Sequence, residues 1–266
     1  MSTIDPNHVV LAGDWHGNTG WACHVVERAA ELLAEEQHKI ILHAGDFGVW
    51  PGQAGRSYLD EVARVLWLHR IKLLFVDGNH EWHPELIQLQ GEAMPLNNFR
   101  LLPIDSCSTT RARIFWIPRG FRWNWHGKTW MGLGGAVSVD AAVRVEGKSY
   151  WREETYTAEQ LEHAVRPGPV DAMLTHDSPS AVKMSFGQPP SFWDPMDLAR
   201  SDAHREQLQD VVDVVQPEVL IHGHYHRPVR QVIKPYGTQV IGLDMDGEPG
   251  NYTLLDTRTL KEVSVP

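Results

Sequence analysis

Apolar residues follow two rhythms along this chain. Short runs rich in β-branched and aliphatic side chains, each closed by a polar or glycine-rich turn, fall at residues 8–14, 39–46, 72–79, 170–176 and 218–224. Their length and composition predict buried strands. Between the first two runs, Trp21, Ala22, Val25, Val26, Ala29, Ala30, Leu32 and Leu33 recur at helical spacing. Tyr58, Leu59, Val62, Val65 and Leu66 do the same before the third. Each set makes an apolar stripe along one helix face. The resulting β-α-β-α-β order predicts parallel strands joined by crossovers, with helices covering the sheet. A later helix over about 196–215, stopped by Pro217, continues the pattern. Residues 99–139 and 228–257 break instead into short strands and turns, with Tyr236-Gly237 among the turn signals, and predict a second, more antiparallel sheet.

The chemistry lies where the five runs end. They close in Gly13-Asp14-Trp15-His16-Gly17-Asn18, Gly45-Asp46-Phe47-Gly48, Gly78-Asn79-His80-Glu81, Thr175-His176-Asp177 and Gly223-His224-Tyr225-His226. The carboxyl ends of strands form the ligand crevice of an open α/β sheet, so five distant segments are expected to converge. Carboxylate, imidazole and amide oxygen together suit zinc, manganese, iron or nickel rather than a metal that prefers thiolate. Two such cations can stabilise the attacking and leaving oxygens of a phosphoryl displacement and bring a water's pKa towards neutrality. A glycine before each ligand lets backbone pack closely around the ions.

This ordered series resembles the calcineurin-like metallophosphoesterase superfamily, and the matched motifs run from Asp14 to His226. The resemblance implies an α/β fold: a four-layer α-β-β-α sandwich, with two central mixed β-sheets flanked by helices. It implies that Asp14, His16 and His226 hold one divalent ion, that Asn79, His176 and His224 hold a second, and that Asp46 bridges both. His80 becomes the catalytic imidazole, donating a hydrogen bond to the phosphate or a proton to the departing oxygen, with Glu81 orienting it and Asn18 behind the first ion. Manganese is the expected metal in vitro, with iron, zinc, nickel or magnesium as alternatives. His222, one place off the Gly-His-X-His pattern, points to the opposite strand face and is not expected to bind metal. His43, His69, His83 and His163 have no motif around them and read as surface or core histidines.

Composition narrows the picture. At 266 residues, 42% hydrophobic and 22% charged, the chain is expected to form a single domain over 1–266. No apolar run approaches the roughly 20 residues needed to cross a bilayer. Two cysteines, Cys23 and Cys107, fit a reducing compartment, and the start lacks the features of a secretory signal, so a cytoplasmic location is expected. The formal charge of −10 disfavours long nucleic acid as a partner.

One region departs from that acidity. Residues 106–139 hold no Asp or Glu, while Arg111, Arg113, Arg119, Arg122 and Lys128 interleave with Phe115, Trp116, Phe121, Trp123, Trp125 and Trp130. Aromatic faces and guanidinium groups can stack a base and hold a phosphate; alternation on strands equally buries such aromatics between sheets. The 119–125 segment, with Arg119, Arg122 and Trp123, is the expected substrate contact, and residues 186–193 a second wall. Residues 134–140, followed by Arg144 and Tyr150-Trp151, are similar to a segment of bacterial and phage-type branches of the superfamily, and Arg144 is expected to clamp a phosphate oxygen. The expected activity is hydrolysis of a small nucleotide-like or cyclic nucleotide phosphodiester by a metal-activated water. A phosphomonoesterase or protein phosphatase, a single-strand nuclease, and a non-catalytic scaffold on the same fold are the competing readings.

Overall fold

The computed structural model describes residues 4–89, 94–96, 99–103, 113–184, 190 and 193–264. Two β-sheets lie face to face between layers of helix. The first sheet is built from β1 (His8–Ala12), β2 (Lys39–His43), β3 (Ile71–Phe75), β4 (Met94–Leu96), β5 (Phe99–Pro103), β6 (Ile114–Trp116), β13 (Tyr252–Asp256) and β14 (Lys261–Val263). The second takes β7 (Arg122–Trp125), β8 (Lys128–Leu133), β9 (Ala172–Thr175), β10 (Val219–His222), β11 (Val229–Ile233) and β12 (Thr238–Gly242). Across the eight-stranded sheet the order is β14-β13-β1-β2-β3-β6-β5-β4, and across the six-stranded one β11-β12-β10-β9-β8-β7.

Each sheet has a parallel centre. β1, β2, β3 and β6 run parallel in one, and β8, β9, β10 and β12 in the other, with antiparallel strands added at the margins. The expectation of a second sheet of more antiparallel character is corrected here. Strands from the middle and end of the chain divide between both sheets, and each sheet is mixed. Parallel neighbours need long crossovers, and the chain supplies them as α1 (Thr19–Leu32), α2 (Gly52–His69), α4 (Ala158–Val165) and α5 (Pro195–Val215), with the short α3 (His83–Leu89) after β3.

Strand alternation accounts for the layering. Val10, Ala12, Ile41, Leu73 and Phe75 face outward into a core with Ala22, Val26, Tyr58, Val62 and Leu66 of α1 and α2. Their neighbours Val9, Leu11, Ile40, Leu42 and Leu74 face inward against Trp130, Leu174, Val219, Ile221 and Ile241 of the other sheet. Met131, Met173, Leu220 and Val240 pack outward against Leu208, Val211 and Val212 of α5. Because both faces of each sheet are covered, the central strands read as continuous apolar runs. Helix ends carry local signals. Asn18 caps α1 by accepting from the Trp21 N–H. Asp194 caps α5, which starts at Pro195 and ends in a left-handed Gln216 before Pro217. No helix among the described residues is long and apolar enough to cross a membrane.

Candidate metal centre

The turns leaving β1, β2, β3, β9 and β10 meet at one end of the two sheets. Three overlapping groups of ligand atoms form there: Asp14, His16 and His226; His16, Asp46 and His80; and Asp46, His176 and His224. Within each group the atoms lie within 4.8 Å of one another. His226 Nε2 is 3.1 Å from Asp14 Oδ2, and His16 Nε2 and His176 Nε2 are each 3.5 Å from Asp46 Oδ2. Asn79 Oδ1 sits 3.1 Å from His176 Nε2. Every residue expected at the two metal positions is therefore in one cluster, with Asp46 in its middle. Asp14, Asp46, Asn79 and His176 are buried, whereas His16, His80 and His226 are partly open to solvent, so the cluster is approached from that side.

The backbone is bent hard to achieve this. His16, Asp46, His224 and His226 all adopt left-handed conformations, with φ of 44°, 52°, 69° and 51°. Non-glycine residues hold that geometry at a cost of about 1–2 kcal/mol each, a strain that accumulates at functional sites. Close approach matters as much as turning. A Cβ on Gly78 would lie 2.1 Å from Asp46 Oδ1, and one on Gly223 would lie 2.2 Å from Asp14 Oδ1.

Electrostatics explain what the cluster demands. Among the described residues, the ion pairs of the buried Asp14 and Asp46 are all with histidines. Burial alone would drive protons off His16 and His176. The charge and hydrogen bonds of Asp46 outweigh it, lifting His16 to about 9 and His176 to about 10. In return, His176 and its neighbours overcome burial to hold Asp46 well below the usual carboxylate range. His224, half-buried, is pushed down to about 4 by burial and by the His176 ring beside it. Two buried carboxylates, ringed by imidazoles and an amide oxygen, fit divalent cations, which would meet the same charge demand with the rings neutral.

A family model for calcineurin-like phosphoesterases matches residues 8–228. The chain belongs to this family. Solved structures agree at the level of fold. One is 15% identical with a TM-score of 0.60, covering 97% of this chain and 98% of that one. Another, TT1561 of Thermus thermophilus, is 12% identical with a TM-score of 0.58, covering 97% of each chain. No curated protein is similar enough in sequence to match.

Around the cluster, this calcineurin-like phosphoesterase carries supports that the motifs did not announce. Asp246 accepts from His16 Nδ1 at 3.0 Å and from Asn18 Nδ2 at 2.7 Å. Asn18 is thus both helix cap and prop for the His16 ring. Ser138 Oγ accepts from Asn79 Nδ2 at 3.0 Å and donates to the buried Glu154 at 2.7 Å, which turns Asn79 Oδ1 towards His176. Burial lifts Glu154 to about 7 despite those bonds. Asp177 accepts from Tyr225 Oη and faces His204 Nδ1, both at 2.7 Å, tying the His176 turn to the loop of His224 and His226. Asn251 accepts from Trp15 Nε1 and Trp21 Nε1 and donates to the Asp14 carbonyl.

Several expected contacts are elsewhere. Glu81 does not orient His80: it is buried and accepts the backbone N–H groups of Gly48, at 3.2 Å, and Gly78, so it ties the Asp46 and Asn79 loops together. Arg119 is buried and fully committed to Asp77, Gln160 and the carbonyls of Glu153, Glu154 and Thr155. Arg122 donates to the carbonyls of Ala164, Gly168 and Pro169 at the end of α4. Trp123 packs with Trp125 and Trp130 in the core between the sheets. The alternation of β7 and β8, not a substrate, set that aromatic pattern. Arg144 does reach the site. Its Nη1 and Nη2 lie 2.7 and 3.0 Å from the two ring nitrogens of His80, and its Nε donates to Asp140 at 2.7 Å. His222 and His43 are buried in the core, as is His83, while His163 is exposed and His69 half-buried. Arg111, Cys107 and most of the 186–193 wall lie outside the described residues.

Proposed function

We propose that this chain is a dinuclear-metal phosphodiesterase acting on a small, nucleotide-like phosphodiester. Asp14, His16 and His226 are assigned to one cation and Asn79, His176 and His224 to the other, with Asp46 shared. Manganese is the metal to test first, with iron, zinc, nickel and magnesium as alternatives. Bound there, divalent cations make a water nucleophilic near neutral pH and offset charge on a phosphoryl oxygen.

The charge beside His80 carries the diester reading. Among the described residues, Arg144 is already paired with Asp140 and His16 faces Asp246, so the positive charge of side chains at His80 is largely offset before phosphate arrives. A diester monoanion needs less compensation than a monoester dianion. His80 is positioned by its own backbone, whose N–H donates to Asp46 Oδ1 at 2.9 Å. Burial, with Arg144 and His16 nearby, lowers its pKa despite Asp46. A neutral ring accepts from Arg144 at one nitrogen only, and its other, N–H, nitrogen is then the donor to a phosphoryl oxygen rather than a reservoir of protons. Arg144 then orients His80. The internal use of Arg119 and Arg122 removes the main support for a nuclease reading.

With manganese present, kcat/KM for bis(p-nitrophenyl) phosphate is expected to exceed that for p-nitrophenyl phosphate. The reverse order supports a phosphomonoesterase instead. His80→Ala is expected to lower kcat by roughly 10²–10⁴-fold while metal content stays near two equivalents.

A further inference from the structure

The aromatics expected to meet substrate are buried, yet a different one stands at the crevice. Trp50 is 37% exposed. Its Nε1 donates to the His80 carbonyl at 3.1 Å. Its six-membered ring lies against Gly17, where an added Cβ would be 2.8 Å from Cζ3. Trp50 therefore bridges the loop carrying His16 and the loop carrying His80, the two partly open imidazoles at the mouth of the cluster. On the other side of the His80 ring rests the Arg144 guanidinium. Trp50 thus brings exposed aromatic surface next to the backbone of His80.

We propose that Trp50 is a specificity-determining residue whose exposed ring stacks a planar aromatic or heteroaromatic group on the ester. The proposal rests on the phosphoesterase reading and adds the substrate class: phosphoesters bearing a flat ring, such as a nucleobase or an aryl group, in preference to alkyl esters. An indole fixed by one hydrogen bond and one glycine contact loses little freedom on stacking, and ring stacking on aromatic side chains is worth enough to discriminate. The Trp50 indole N–H bonds to the His80 carbonyl rather than to a metal-holding side chain, so its effect separates from the metal chemistry.

Phenylphosphonate and ethylphosphonate, each as its methyl monoester and so a monoanion like a diester, test this, because each has a P–C bond where the substrate has its ring-bearing ester bond. Calorimetric titration of the metal-loaded protein is expected to show phenylphosphonate binding roughly fivefold or more tighter. Trp50→Leu is expected to remove that preference, Trp50→Phe to retain most of it, and both to leave metal stoichiometry unchanged. In turnover, Trp50→Leu raises KM for aryl esters with kcat little changed. If Trp50→Leu does not fold, the indole resonances of Trp50, assigned with Trp50→Phe, decide the matter: phenylphosphonate is expected to shift them and ethylphosphonate to leave them in place, and equal shifts overturn the proposal. Equal affinity for the two phosphonates in the parent protein overturns the proposal. So does a Trp50→Leu variant that loses kcat equally on aryl and alkyl esters, since that is the signature of a loop brace. If neither phosphonate binds and no ester is cleaved, the phosphoesterase reading itself has failed, a result distinct from binding without ring preference.

Discussion

Removing divalent cations with a chelator and raising the pH from 6.5 to about 9 is expected to destabilise the fold steeply, because protons on His16 and His176 are what offset Asp14 and Asp46 in the metal-free protein. An imidazole whose folded pKa is raised contributes stability that is complete below its unfolded value and is lost as pH rises through its folded value. For His16 the window runs from 6.5 to about 9, which corresponds to about 3 kcal/mol. His176, lifted to about 10, acts in the same direction. Both rings draw on Asp46, so their contributions are not summed. For a protein of this size each kcal/mol moves the melting temperature by roughly 2–4 °C, giving a fall of about 6–12 °C. The raised carboxyls of Glu154 and Glu81, at about 7 and about 8, also favour lower pH, so the slope above pH 8 belongs to the imidazoles. Scanning calorimetry of metal-free protein across this range is the assay, with metal-loaded protein as the shallower control. A flat or rising melting temperature in the metal-free protein, or an undiminished slope in Asp46→Asn, refutes the reasoning.

Three further outcomes are expected from the geometry. Arg119→Ala leaves Asp77 buried without its guanidinium and is expected to cost about 3–5 kcal/mol; denaturant unfolding measures this, and kcat/KM of the folded variant should stay near the parent value because Arg119 does not face the crevice. Gly78→Ala places a methyl 2.1 Å from Asp46 Oδ1, so elemental analysis should find clearly fewer than two metal equivalents, and full occupancy would contradict the close-packing account. Tyr225→Phe removes the hydroxyl's bonds to Asp177 and Ser201 that hold the loop of His224 and His226; competition with a chelator should show metal affinity down roughly 10-fold to 100-fold, and an unchanged affinity would make those bonds incidental.

Sequence alone located the cluster because each ligand adjoins a strand end. A short apolar run fixes where the strand stops, and the Gly-Asp, Gly-Asn-His and Gly-His-X-His turns mark the ligands just beyond it. The supports were not legible for the opposite reason. Asp246, Ser138, Glu154 and Asn251 sit in turns with no pattern of their own and reach the ligands only through the tertiary fold. The Arg119–Trp125 stretch misled because composition does not say which face of a strand a residue takes. Its tryptophans point between the sheets and its arginines are absorbed by backbone carbonyls and Asp77. Glu81 was placed by adjacency to His80, whereas its bonds run to the glycine backbone on either side of the cluster. Trp50 was invisible, since nothing near it in the chain distinguishes it from a core residue.

The two sheets contribute unequal halves to one knot of side chains: Asp14, His16, Asp46 and Asn79 hang from the eight-stranded sheet, and His176, His224 and His226 from the six-stranded one. Any cation gripped by both halves is a rivet through the sandwich at its open end, opposing slippage of one layer over the other. Loading the centre should therefore slow mechanical peeling and proteolytic opening along the whole inter-sheet seam, far from the ions themselves.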